Sequence, residues 1–324
     1  MPKELIHFKT ALATAARLGD TRFAPCLAQA RPGLLLGSVF HDALFYAVRK
    51  RGRPLERLSH RFHGVDGEDP FGLIRMQAQH AARPYARPLA TAALVGMVSH
   101  LFADAVLHPL VWHCTGHYYD ADPHARSLAR QRHRAMEGLM DRVACPEMFD
   151  DPKLHLRSLL AQCPDIATRG VDLDGLARLA GMERLAVGEE LGAAWTLYGL
   201  IQRTCAMQPL ARLLHALRPV LPDAAREVTA LFHAPRLLRQ AAFLEGTIEY
   251  AHPVTGERAA LSLADAMDRA AKKAADCCRE LERTVFDGAG PALPGIAPSM
   301  ETGLPGVPAG RMTHFADPPF PDMR

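Results

Sequence analysis

Between Gly96 and His117 the chain reads GMVSHLFADAVLHPLVWHCTGH, and Ala90 to Trp112 is apolar almost all round except at His100, Asp104 and His108. A helix without a polar face belongs at the centre of a bundle or in a membrane. A spanning helix needs about 20 apolar residues with few or no charges. Two imidazoles and a carboxylate interrupt this run, which predicts the buried central helix of a soluble protein. Pro109 lacks an amide hydrogen and is expected to kink or end that helix just after His108.

Spacing says what the three polar residues do. Positions four apart on a helix drift by only about 40° and rise about 6 Å, so all three project from one side, with His100 and His108 about 12 Å apart. A zinc–ligand bond is only about 2.0–2.3 Å long. One ion can therefore hold His100 with Asp104, but hardly His100 with His108. Asp104 between two metals, with a histidine on either side, satisfies all three. The alternative is a core helix whose His and Asp hydrogen-bond to neighbours, and the cost of burying an unpaired carboxylate weighs against it.

Histidine is the unusual number: of 16, 11 lie in the first 133 residues, a crowding that points to a metal site there. The 324 residues, 48% of them hydrophobic, suffice for one large domain or two small ones. A formal charge of +3 gives no reason to expect a specific nucleic-acid partner. Seven cysteines, scattered apart from Cys277–Cys278 and without a CxxC pair, fit a reducing compartment. The first residues show no continuous apolar core or small-residue cleavage site. The resulting expectation is a cytoplasmic protein.

In chain order, Glu4 to Leu18 has helical periodicity, with His7 beside Phe8 on the apolar face. Pro32 to Tyr46 predicts a turn and a short apolar helix carrying Asp42, a carboxylate that needs a partner. RLSHRFHG offers His60 and His63 as alternative ligands, and His113 or His117 could replace His108. Pro70 to Ala82 reads as a helix. Ser127 to Val143 is an amphipathic helix carrying His133 and Glu137, four apart, with Asp141 a turn further on; beside HxxxDxxxH this pair completes a ligand constellation. Residues 1–150 are thus expected to form a metal-binding helical core. Residues 151–286 continue it with further helices, a turn or short hairpin within Thr247–Leu261, and a long helix opened by Ser262 and Asp265. Residues 287–324 hold eight prolines and are expected to be a flexible, largely disordered tail.

The order His7, Asp42, His63, His100, Asp104, His108, His133, Glu137 resembles the zinc-dependent phospholipase C family. That family includes secreted bacterial enzymes and the catalytic region of glycosylphosphatidylinositol-specific phospholipase D. The texts GSVFHDALFY, RFHG, GMVSHLFADAVLHPL and RHRAMEGLMD look like its metal-binding segments, and the resemblance covers roughly residues 1–145. It implies an all-α multi-helix bundle holding two or three zinc ions. One would take Asp42, His63, His100 and Asp104, and a second His108, His133 and Glu137. A third would share Asp104 with His7; in the family that ion also uses an N-terminal Trp, whereas this chain begins Met-Pro with no Trp nearby.

Clustered divalent ions supply nucleophilic water near neutral pH and offset phosphoryl charge. Three carboxylates against two or three dications leave a positive site suited to an anionic phosphodiester, with Asp42 as a possible general base. The expected partner is a phospholipid or other phosphodiester substrate, with transient contact to a membrane surface. Two other readings are a single-strand-specific zinc nuclease, favoured by an aromatic, basic groove, and an inactive metal-stabilised scaffold. A metal-free helical protein is the bland alternative.

Overall fold

The computed structural model describes residues 4–232, 235–290 and 293–323. The all-α expectation holds. Eight helices carry or flank the histidine-rich half: α1 (Glu4–Ala16), α2 (Phe23–Gln29), α3 (Arg31–Gly37), α4 (Phe40–Ala43), α5 (Arg53–His63), α6 (Phe71–Ala81), α7 (Arg87–Thr115) and α8 (Pro123–Ala144). There follow α9 (Leu156–Gln162), α10 (Leu173–Ala180), α11 (Arg184–Cys205), α12 (Gln208–Leu217), α13 (Asp223–Thr229), α14 (Pro235–Leu238) and α15 (Leu263–Asp287). Before α15, β1 (Thr247–Ala251) and β2 (Arg258–Ser262) pair antiparallel, Thr247 opposite Ser262, as the expected hairpin. Ser262 Oγ then accepts the Asp265 N–H at 3.0 Å and caps α15.

Helix α7 is the axis of the molecule, and α1, α2, α3, α6, α8 and α15 pack around it. It is long and apolar enough to span a membrane, but 89% of its most apolar window is buried inside the protein. A stripe hydrophobic on every side is here satisfied by helices on every side. The main hydrophobic cluster runs from Leu5 to Met323, so residues on both sides of position 150 share one core.

Two expectations need correction. Of the kink or end expected just after His108, the end does not occur: helix α7 continues through Pro109 to Thr115. Pro109 cannot donate to the carbonyl of Ala105, and Gly303 closes over that position, where a Cβ would lie 2.6 Å from Ala105 O. The second concerns the C-terminal segment, whose described residues 293–323 are not a disordered tail but a strap bonded to the helical core through its backbone. Met300 N donates to His63 O at 3.0 Å, Ala309 N to Val65 O at 2.8 Å, and Ala316 N and Phe320 N to His113 O and Cys114 O at 2.7 Å each. Ala297, Ser299, Met300 and Thr302 are fully buried.

Candidate metal centre

The site is assembled by close helix contacts. Gly37 and Gly96 let α3 lie against α7 at backbone distance: a Cβ on Gly96 would meet Leu34 O at 2.2 Å, and one on Gly37 would meet Ala93 O at 2.3 Å. That contact carries Ser38 O to 2.8 Å from His100 Nδ1 and brings Asp42, on α4 just beyond, over the same face of α7. Helix α1 is held by α8, because the Asp141 carboxylate accepts the N–H groups of Leu5 (3.0 Å) and Ile6 (2.9 Å). His7 therefore enters beside Asp104. His63 comes from the last turn of α5, and His133 and Glu137 from one face of α8.

All eight side chains singled out in the sequence converge. Asp104 stands at the centre: Oδ1 lies 3.5 Å from His7 Nε2 and 3.8 Å from His108 Nε2, and Oδ2 lies 3.2 Å from His100 Nε2 and 3.9 Å from His63 Nε2. Asp42 Oδ1 is 3.4 Å from His63 Nε2 and 3.8 Å from His100 Nε2, and its Oδ2 is 4.0 Å from His7 Nε2. Glu137 Oε1 is 3.0 Å from His133 Nε2 and 3.4 Å from His108 Nε2. Donor atoms within 4.8 Å of one another form three groups: His7 with Asp42 and His100; His63 with His100 and Asp104; His108 with His133 and Glu137.

These separations fit ligands around ions. Two atoms each about 2.1 Å from one tetrahedral ion stand about 3.4 Å apart, whereas most of the contacts are too long for strong hydrogen bonds. Neither oxygen of Asp42 or Asp104 receives a well-directed hydrogen bond, nor does Nε2 of His7, His63, His100 or His108, though all are buried. Orphaned polar atoms at this density would be prohibitive in a metal-free core. The outer nitrogens are provided for. Nδ1–H of His63 donates to Ser59 O (2.7 Å), that of His100 to Ser38 O (2.8 Å) and that of His108 to Met300 O (2.7 Å). A carbonyl only accepts, so each Nδ1 carries the proton and Nε2 is left to point inward as a donor lone pair.

Charge follows the same plan. Burial would raise the carboxyl of Asp104, but the imidazoles of His108, His100 and His7 hold it well below the usual carboxylate range. Burial, with His100 adding to it, lowers His7 to about 3. Burial also works against charging His108, yet Asp104 and Glu137 raise it to about 9. Burial opposes charge on His100 as well, yet Asp104 and Asp42 raise it. The acids are ionised, and these two imidazoles balance them where no dication does.

A family model described as zinc dependent phospholipase C matches residues 6–170, just over half of the chain. The chain belongs to that family. No curated protein and no solved structure matches it. The match covers every one of the eight converging residues, from His7 to Glu137. The family's zinc dependence accounts for the orphaned donors.

In this member of the zinc-dependent phospholipase C family the centre opens into a cleft of about 620 Å³, with His63, His108, His133 and Glu137 on its wall. Asp42, Asp104, His7 and His100 lie behind them. Trp112, Tyr118, Tyr119, Phe45 and Tyr46 supply aromatic surface, and Arg130 and Arg134 cationic groups. At the two positions with alternatives the histidines lie in different surroundings. His60 lines the cleft edge-on to Phe45 while His63 faces the carboxylates. His113 pairs with His314 O and His117 packs on Phe315, away from the cluster.

Sequence reasoning missed three contributors. His41, fully buried, stacks on His100 with ring centroids 4.6 Å apart and neither ring nitrogen hydrogen-bonded. Its position beside Asp42 in an apolar run was the available signal. Met300 and Glu301 come from the strap; Glu301 Oε2 accepts the Trp112 Nε1–H at 3.0 Å, and nothing local in the sequence marks either. The family's N-terminal contribution to a third ion falls on Met1–Lys3, outside the described residues.

Proposed function

We propose that the chain hydrolyses the phosphodiester of a phospholipid with two or three zinc ions. Asp42, His63, His100 and Asp104 would hold one, His108, His133 and Glu137 a second, and His7 with Asp104 would contribute to a third. The carrying observation is the set of buried, unsatisfied donors beneath the wall of an aromatic cleft. Zinc held there supplies Lewis-acid stabilisation of phosphoryl charge and lowers the pKa of water toward 7.

The chain's own residues do the rest. The carbonyls of Ser59, Ser38 and Met300 fix three imidazoles in the tautomer and orientation a ligand needs. Asp42, ionised despite its burial because of His100, His63 and His7, is the proposed proton acceptor. The aromatic wall covers the apolar part of the substrate and limits water. Val48 and Val228, 48% and 51% exposed on the cleft lining, support transient contact with a lipid surface. All seven cysteines are buried and none is in a disulfide, which supports a cytoplasmic setting.

The nuclease reading is disfavoured by charge. Glu4, Glu56, Asp151 and Glu301 line the cleft against Arg130 and Arg134, a balance that repels a polyanionic strand. The test is hydrolysis of phospholipid vesicles, a soluble phosphodiester and single-stranded DNA, before and after chelation and with zinc restored. Zinc-dependent cleavage of phospholipid is expected. Equal activity with and without chelator overturns the reading, as does cleavage of DNA alone; bound zinc without any turnover favours the scaffold.

A further inference from the structure

We infer that the strap segment 297–303, which lies beyond the residues the family model matches, is a positioning element for the metal group made by His108, His133 and Glu137. The inference rests on the zinc-centre reading above. Met300 grips two ligand-bearing helices with one peptide unit on each side: its N–H donates to His63 O at 3.0 Å and its carbonyl accepts from His108 Nδ1–H at 2.7 Å. Ser299 Oγ, fully buried, donates to Gly64 O at 3.1 Å and accepts from Glu301 N at 3.2 Å, which fixes the turn that aims the Met300 carbonyl. Glu301 Oε2 ties the strap to α7 again through Trp112 Nε1.

Gly303 sets how close the strap lies to α7. Its φ of +70° and a Cβ that would fall 2.6 Å from Ala105 O leave room for glycine alone. The contact sits one turn before His108 and at Pro109, where the helix has lost a hydrogen bond. His108 is thus oriented by a segment 192 residues away in sequence. His100 and His63 take their partners from Ser38 and from within α5. The strap therefore acts chiefly on one of the three groups.

The experiment is stepwise zinc titration of the apo full-length chain and of G303A, with His133→Ala marking which step belongs to the His108 group. Cobalt substitution reports the coordination sphere of the same step by its visible spectrum. In G303A that step is expected to weaken by about 10–100-fold and its cobalt spectrum to change, while the remaining steps stay at wild-type affinity. Ser299→Ala, a milder change, is expected to weaken the same step in the same direction and stands in for G303A if the latter does not fold. A variant that lowers the melting temperature of apo and zinc-loaded protein alike, with every zinc step intact, overturns the inference and leaves the zinc reading standing. A wild-type chain that binds no zinc removes both.

Discussion

Asp141 Oδ1 accepts the backbone N–H of Ile6 at 2.9 Å, across 135 residues of sequence. The helix that presents His133 and Glu137 therefore also anchors the helix that presents His7. Asp141 stands one turn beyond Glu137 on the ligand face, but its role is a helix cap on a neighbour. Replacing it with Ala strips two buried N–H groups of α1 of their acceptor, a loss of about 1–3 kcal/mol. Urea unfolding should show that loss. Asp141→Asn, which keeps one acceptor oxygen, should show roughly half of it. Unchanged unfolding midpoints in both would mean that α1 is held some other way.

Asp104 faces four imidazoles, with the nearest contact 3.2 Å to His100 and the farthest 3.9 Å to His63. No other carboxylate in the centre touches every group. Asp104→Ala should reduce bound zinc by at least one equivalent by elemental analysis. Loss of several kcal/mol of charge stabilisation corresponds to a fall of about 10³-fold or more in turnover. Asp104→Asn preserves shape and should fail almost as badly, because the missing feature is charge. Full zinc content in both variants would place the metals elsewhere.

The converging residues of α7 and α8 were legible because helical spacing is local: HxxxDxxxH and HxxxE declare a shared face within one or two turns. The all-α architecture was legible for a related reason, since the apolar run from Ala90 to Trp112 demands neighbours on every side. The strap was not. Its seven prolines and several glycines predict no packed core of its own: residues 297–320 are held by backbone hydrogen bonds to His63, Val65, His113 and Cys114, and side chains such as Met300 and Met312 are buried against the helical core. Backbone pairing leaves no trace in a hydrophobicity pattern. Helix α7 outran its expected end for the same kind of reason, since tertiary packing over Pro109 outweighs the local penalty.

The apo centre should release protons when it takes zinc. His108, raised to about 9 by Asp104 and Glu137 against the opposing effect of burial, carries a proton at pH 7 when no dication is present. In the apo protein this raised value stabilises the fold fully below the unfolded pKa of about 6.5, and the contribution fades as pH climbs through 9. His7, lowered to about 3 by burial and His100, acts oppositely, costing stability as pH falls from about 6.5 toward 3. Zinc needs the bare Nε2 of His108 and of His100, which, against the opposing effect of burial, Asp104 and Asp42 likewise raise. Its apparent affinity should therefore rise with pH up to about 9, with at least one proton released per centre at pH 7. Calorimetry in buffers of different ionisation enthalpy reads that number directly. Zinc binding at pH 7.5 with no proton release would show His108 already neutral, or not a ligand.

The contact between α3 and α7 can be tested by two substitutions of the same type with opposite expected signs. At Gly96 a Cβ would stand 2.2 Å from Leu34 O and 2.5 Å from Ser38 N, both backbone atoms that move only if the helices part. The gain in helix propensity from Gly to Ala, about 1 kcal/mol, is smaller than the overpacking cost of about 1–3 kcal/mol or more. Gly96→Ala should therefore destabilise, and by drawing Ser38 O away from His100 Nδ1 it should also weaken zinc binding. At Gly192, exposed on α11, a Cβ would meet nothing within 4 Å. Propensity then acts alone, and Gly192→Ala should stabilise by about 0.5–1 kcal/mol without altering zinc content. Urea denaturation of the apo chains, paired with zinc analysis of the loaded ones, compares the two. A Gly96→Ala protein as stable and as zinc-replete as wild type would show that the helices do not need this approach to build the centre.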